Sequence, residues 1–322
     1  MSAFMDDYRR MAKPRAVEEA GDIYLIRPLG YLFVQILRHT PVTPTMVSFL
    51  SVFAAWYTAW LYYRSNSLGG DAALALLAAF MFLVHSALDS ADGQLARVTG
   101  RTTELGRIVD GFCDSLSFLA IYAAIVLSCW KRIGDYQVII LLFGAAGVWL
   151  HSVQSSLTEF QRTLYLYAVH GKRDIVDSNP LRTIEAAKRT GAFFARLLHR
   201  LHVGYYRRQR MVLATTARLE EAVIDWLERN PGREKEMAAL YERTQRPALK
   251  GWALLASNSH KIGIILAAFL PVTSGSFRGE LGMGWYLFYD LFLVLVMAWL
   301  VWRQAGINAK TLAEIRLLGG KD

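Results

Sequence analysis

The chain has 322 residues, 54% of them hydrophobic, 12% aromatic and 20% charged, with a formal net charge of +9. Ordinary soluble domains carry about a quarter charged residues, so this balance excludes a purely cytosolic protein. The two cysteines, Cys113 and Cys129, fall in apolar stretches without CxxC or Cys/His spacing, which argues against a disulfide framework and against structural zinc.

At the N-terminus Asp6, Asp7, Arg9, Arg10 and Lys13 precede any apolar run, so no secretory signal peptide is expected. Residues 22–38 carry many large apolar side chains but are interrupted by Arg27 and Pro28. They read as a helix lying in the membrane interface rather than crossing it. The following PVTPT at 41–45 holds two prolines just before the first span, where a missing N–H costs little.

Six runs are then apolar enough to span a bilayer, at roughly 45–63, 72–89, 109–130, 136–155, 251–272 and 283–302. The expected fold is therefore all-α: a polytopic membrane protein with six transmembrane helices, an N-terminal interfacial helix and a helical cytoplasmic insertion. The expected organisation is a cytoplasmic segment at 1–44, spans one to four at 45–158, the insertion at 159–250, spans five and six at 251–302, and a tail at 303–322. Lys and Arg concentrate in the termini, in 89–109 and in 156–250, so those parts should face the cytoplasm. This topology accounts for the basic charge. Nucleic-acid binding would want a reader fold or an aromatic-basic platform, and neither is evident.

Between the second and third spans the chain reads LDSADGQLARVTGRTTELGRIVDGFCDSL, from Leu88 to Leu116. Asp89, Asp92, Asp110 and Asp114 stand where apolar side chains should enter or leave the bilayer, and ionisable groups there mark function. On helices Asp89 and Asp92 are three apart, Asp110 and Asp114 four apart, so each pair projects from one face. A turn over 99–103, containing Gly100, would fold the two helices antiparallel and bring the pairs together. Four clustered carboxylates repel one another and call for hard divalent cations with oxygen ligands. Two such cations would clamp a phosphoryl group. Arg97 offers a planar fork for phosphate oxygens, while Gly93, Ala96 and Gly106 leave room for a ligand against the backbone.

The pattern Asp89-x2-Asp92-Gly93-x2-Ala96-Arg97-x8-Gly106-x3-Asp110-x3-Asp114 resembles the signature of the CDP-alcohol phosphotransferase family, matching all eight fixed identities over 26 positions. Thr43-Pro44 resembles the Thr-Pro-Asn at that family's first span, with Thr45 in place of the Asn. The resemblance covers the membrane core and not the insertion. It implies an integral multi-pass transferase, its site facing the cytoplasm, that moves a phosphatidyl-type group from a CDP-alcohol to an acceptor hydroxyl and releases CMP. It implies Mg²⁺ or Mn²⁺, two per site, on Asp89, Asp92, Asp110 and Asp114, with Asp114 also the base for the acceptor proton. Gly93, Ala96, Arg97, Thr103 and Gly106 would line the CDP-alcohol site. The acceptor would be a polar headgroup such as an inositol phosphate, glycerol phosphate or serine. Two alternatives stand beside this reading: the same core passing a soluble CDP-activated headgroup to a lipid or inositol phosphate acceptor, and a non-enzymatic ion-coupled transporter. The transporter sits poorly with carboxylates gathered at one interface rather than near the midplane.

The insertion holds 18 Lys and Arg against 11 Asp and Glu over 156–250 and a helix-stopping Pro231-Gly232. It reads either as a helical hairpin held against anionic headgroups or as a lid that receives the acceptor. In the fifth span His260 and Lys261 are candidates for the acceptor site, although a buried Lys261–Asp290 ion pair is the plainer reading. His85, one turn before Asp89, reads as a satisfied helix-interface residue. Gly144-Ala145-Ala146-Gly147 would permit close helix packing, either within a homodimer or inside the chain.

Overall fold

The computed structural model describes residues 14–67, 71–130, 137–171, 193–273 and 278–319. Every regular element among them is helical. A single π-turn, Asp22–Ile26, runs into α1 (Arg27–Leu37), and then come α2 (Pro44–Ser67), α3 (Ala72–Val98), α4 (Glu104–Trp130) and α5 (Gln137–His170). The remaining helices are α6 (Phe193–Val212), α7 (Ala214–Arg229), α8 (Glu234–Trp252), α9 (Ser257–Thr273) and α10 (Arg278–Gly319).

Among the described residues, four segments are long and apolar enough to cross a membrane: Ala72–Val98, Leu105–Ser128, Gln137–His170 and Leu291–Gly319. The two other expected spans coincide with helices that fall short by these measures. α2 is long enough at 24 residues, but its sequence mixes Trp56, Tyr57 and Trp60 with Ser48, Ser51 and Thr58. Those aromatic side chains are exposed and those hydroxyls buried, as expected where one face meets lipid and the other packs on protein. α9 has 17 residues, about 26 Å of helix. The expected fifth span at 251–272 is also broken at its start, because α8 ends at Trp252 and a 3₁₀ turn, Ala253–Leu255, intervenes.

The chain divides into two compact units. One comprises Met1–His151 with His260–Leu291, the other Ser152–Ser259 with Phe292–Asp322. This partition differs from the expected one: the insertion folds together with the end of α5 and with the C-terminal helix. The expected tail at 303–322 is helical through Gly319, and Gln304, Asn308, Thr311 and Ile315 on it are buried.

The first unit holds its core between α2, α3 and α4, where Ala55, Ala59, Tyr62, Phe82, Phe118, Tyr122 and Ile125 pack together with Ile264 of α9. A second cluster seats α1 on α3 through Tyr31, Val34, Leu88, Ala91 and Leu95. Gly30 allows the approach, since a Cβ there would lie 2.9 Å from Gln94 Nε2 and 3.0 Å from the Ala87 carbonyl oxygen. Gln94 donates to the Arg27 carbonyl, and the buried Arg27 guanidinium pairs with Glu18 at 2.8 Å. Tyr24, Leu32 and Ile36 point away from this contact and are exposed, which leaves α1 the two-faced character of an interfacial helix. Gly144 is spent inside the chain: a side chain there would collide with Val126, so internal packing accounts for that glycine.

The second unit is built differently. Gln304 accepts from Trp252 Nε1 and donates to both Gln245 and Asn308, while Gln245 donates to Thr311. Asn308 donates to Thr215 and Thr216, and Thr216 accepts from Gln161. The network joins α5, α7, α8 and α10 through hydrogen bonds. α7 and α8 are separated by the Pro231-Gly232 turn, where Gly232 adopts φ +94°.

Candidate active site

The hairpin of α3 and α4 forms as the sequence dictates. α3 stops in a Schellman turn: Gly100 takes φ +66°, Arg101 N–H bonds the Ala96 carbonyl at 2.9 Å, and Gly100 N–H bonds that of Arg97 at 3.4 Å. α4 starts with Thr103 as its cap, the hydroxyl oxygen accepting from Gly106 N–H at 3.0 Å. Thr103 and Gly106, both expected to face the CDP-alcohol, therefore have a local structural task as well. A Cβ on Gly106 would lie 2.9 Å from that hydroxyl.

The turn brings Asp89, Asp92 and Asp110 together, each offering a carboxylate oxygen within 4.8 Å of the other two. Asp92 is buried and the other two half-buried. Asp114 is not one of this triad. It lies beside Asp89, and its Oδ1 is buried without a hydrogen-bond partner. Three carboxylates this close repel one another unless a cation or a proton intervenes, and an all-oxygen donor set suits a hard divalent cation. The residues present thus fit the metal that the motif calls for.

Around this centre, Arg97 folds back along α3 so that a Cβ on Gly93 would lie 3.4 Å from its guanidinium. That is ordinary van der Waals contact, and the Arg97 side chain itself is exposed. Ala96 lends its carbonyl to the Schellman turn. α2 supplies a residue that sequence reasoning missed: Ser48 donates to Asp92 Oδ2 at 2.5 Å. A trace of it was legible, because Thr43 caps α2 through Met46 N–H and Pro44 fills its first position, which puts Ser48 one turn inside.

His85 is half satisfied. Its Nδ1 bonds the Ser51 carbonyl at 3.0 Å, which requires the proton on that nitrogen, and its Nε2 is buried with no partner. The His260 ring stacks on His151 with centroids 3.8 Å apart, and His151 Nδ1 bonds the Tyr122 hydroxyl at 2.9 Å. Both ring nitrogens of His260 are buried and unpartnered. Lys261 is buried beside it and within electrostatic range of Asp114 and His85. The expected partner of Lys261, the Asp290 side chain, lies outside the described residues.

The hairpin thus carries an acidic triad that could hold a metal ion, with a fourth aspartate and an arginine near it, on helices among which several are long and apolar enough to cross a membrane. The chain belongs to the CDP-alcohol phosphatidyltransferase family, whose sequence model matches residues 41–217. The match runs past residue 158 into the segment expected to lie outside the resemblance. The chain is also similar to a Dictyostelium discoideum protein named "Uncharacterized CDP-alcohol phosphatidyltransferase class-I family protein 2", with 43% identity over 58 residues. That stretch covers 18% of this chain and only 14% of the relative. No solved structure matches.

Proposed function

We propose that the protein is a membrane-embedded, phospholipid-synthesising transferase that moves a phosphatidyl-type group from a CDP-alcohol to the hydroxyl of a polar acceptor and releases CMP. The observation that carries this reading is the convergence of Asp89, Asp92 and Asp110 with Asp114 alongside. Asp89, Asp92 and Asp110 would hold the divalent metal, two ions by the resemblance. When bound, the metal would neutralise the donor's pyrophosphate and ease departure of CMP.

The chain's own residues do the rest. Ser48 holds Asp92 by a hydrogen bond, and Arg97 would receive phosphate oxygens. The free Oδ1 of Asp114 takes the acceptor hydroxyl proton. The acceptor oxygen bonds to the phosphorus carrying the donor's alcohol group, the P–O bond to the CMP phosphate breaks, and CMP leaves with that electron pair. Positioning and charge neutralisation suffice for such a transfer. Lys261 and His260 would form the acceptor side, since the one carries charge toward Asp114 and the other keeps two ring nitrogens unused. The enrichment of Lys and Arg in the termini and in 156–250 supports a site open to the cytoplasm.

The test is CMP release by the purified protein in a bilayer, with lipid-type and soluble CDP-alcohols offered in turn against phosphorylated and unphosphorylated acceptors. The expected result is turnover with a CDP-activated lipid, lost on chelation with EDTA and restored by Mg²⁺ or Mn²⁺. Turnover only with a soluble CDP-headgroup would reverse the donor assignment, and undiminished turnover in EDTA would remove the metal from it.

A further inference from the structure

The insertion carries a surface that the transfer chemistry does not use. α6 (Phe193–Val212) contains no acidic residue and is rich in arginine. Several of its side chains are held by the neighbouring helices. Val203 and Gln209 are buried, Gln209 donates to the Ser156 carbonyl at 2.7 Å, Arg208 donates to Ser152 at 3.1 Å, and Arg210 pairs with Glu220 and Glu221 of α7.

The exposed side chains repeat at helical spacing, in a row that Arg208 joins although it is bonded to Ser152. Leu197, Leu201 and Met211 are 42%, 54% and 79% exposed, and Arg196, Arg200 and Arg207, also exposed, lie among them. A merely solvated helix would not set large apolar side chains between arginines on its outer face. That mixture suits the boundary between lipid headgroups and acyl chains, where leucine and methionine bury and arginine meets phosphate.

The place of α6 agrees with this. It is bonded to α5 at Ser152 and Ser156, and the uncharged stretch of sequence from Tyr136 ends at Thr158, within α5. Attachment there sets α6 at the level where a spanning helix leaves the hydrocarbon. The arginines define the kind of surface: near an anionic leaflet each one strengthens association about fivefold.

We propose that α6 is a second interfacial helix, which docks the insertion onto an anionic lipid surface through Leu197, Leu201 and Met211 with Arg196, Arg200 and Arg207. Its outer face therefore rests on the leaflet and does not close over substrate. The proposal needs the chain to sit in a bilayer and is independent of which substrates it uses.

The test places the photo-crosslinker p-benzoyl-phenylalanine at position 201, 211 or, as control, at the exposed Glu228 of α7, in the full-length protein. Each variant is reconstituted in nanodiscs of phosphatidylcholine alone or mixed with phosphatidylglycerol, irradiated, and its adducts identified by mass spectrometry. Lipid adducts at 201 and 211 should exceed those at 228 and should rise with phosphatidylglycerol. Combining Arg200→Gln and Arg207→Gln should reduce that rise about 25-fold, at about fivefold per arginine. Lipid adducts no more frequent than at 228, adducts to the protein itself as a lid would give, or a yield independent of lipid charge would each overturn the proposal. None of the altered residues is Arg208, Gln209 or Arg210, which make the bonds of α6 to α5 and α7.

Discussion

The hydrogen-bond network of the second unit and the motif of the first put buried polar side chains to different uses. In the second, the network members Gln245, Gln304 and Asn308 have both the donors and the acceptors of their amides engaged. In the first, the polar atoms nearest the motif are left over: Oδ1 of Asp114, Nε2 of His85 and both nitrogens of His260. An unmade hydrogen bond in a buried site costs about 1–3 kcal/mol. The network of the second unit therefore uses buried polarity to fix its helices, although Gln154 in that unit is also left unpartnered, while the motif of the first keeps its unpartnered atoms beside a cluster of carboxylates.

The sharpest way to break this contrast is Asp114→Asn. If the free carboxylate oxygen serves as base, CMP release should fall by about 10²–10⁴-fold, while thermal stability holds or rises because a crowded negative charge has gone. Titration with donor would show binding retained, and full activity would remove the base assignment. Ser48→Ala comes next. Freed of its donor, Asp92 should hold metal about 10–100-fold more weakly, read as a higher Mg²⁺ concentration for half-maximal turnover.

In the second unit the expected loss is of stability rather than chemistry. Asn308→Ala should lower the unfolding free energy by about 1–3 kcal/mol, because Gln245, Gln304 and Thr216 each lose a partner, with specific activity of the folded fraction unchanged. Thr103→Ala is the mildest, costing about 1 kcal/mol as a lost helix cap. A matching rise in donor KM would show that the hydroxyl touches phosphate besides capping α4.

The motif was legible because its information is local. Asp89, Asp92, Asp110 and Asp114 lie on two consecutive helices joined by a five-residue turn, and helical spacing fixes which way each pair projects. Ser48 was not legible in the same way, since it reaches Asp92 across 44 residues and a lone serine in an apolar run has no periodic signature. The partition into units escaped for a related reason. Gln304, Asn308 and Thr311 look like the polar residues of a solvated tail until Gln245 and Trp252, from the insertion, are seen bonded to them. The expected Gly-Ala-Ala-Gly packing face was readable as close packing, but Val126 as the partner of Gly144 was not. For the arginines of α6, composition gave the charge, while the division between those paired with Glu220 and Glu221 and those facing outward needed the fold.

The hydroxyl of Ser48 also ties the carboxylate cluster to a third helix. α2 packs on both α3 and α4, and its bond to Asp92 sets that carboxylate's direction from outside the hairpin. A small tilt of α2 would therefore be felt at the triad through this one bond, so a ligand that orders the triad should also stiffen the first long helix.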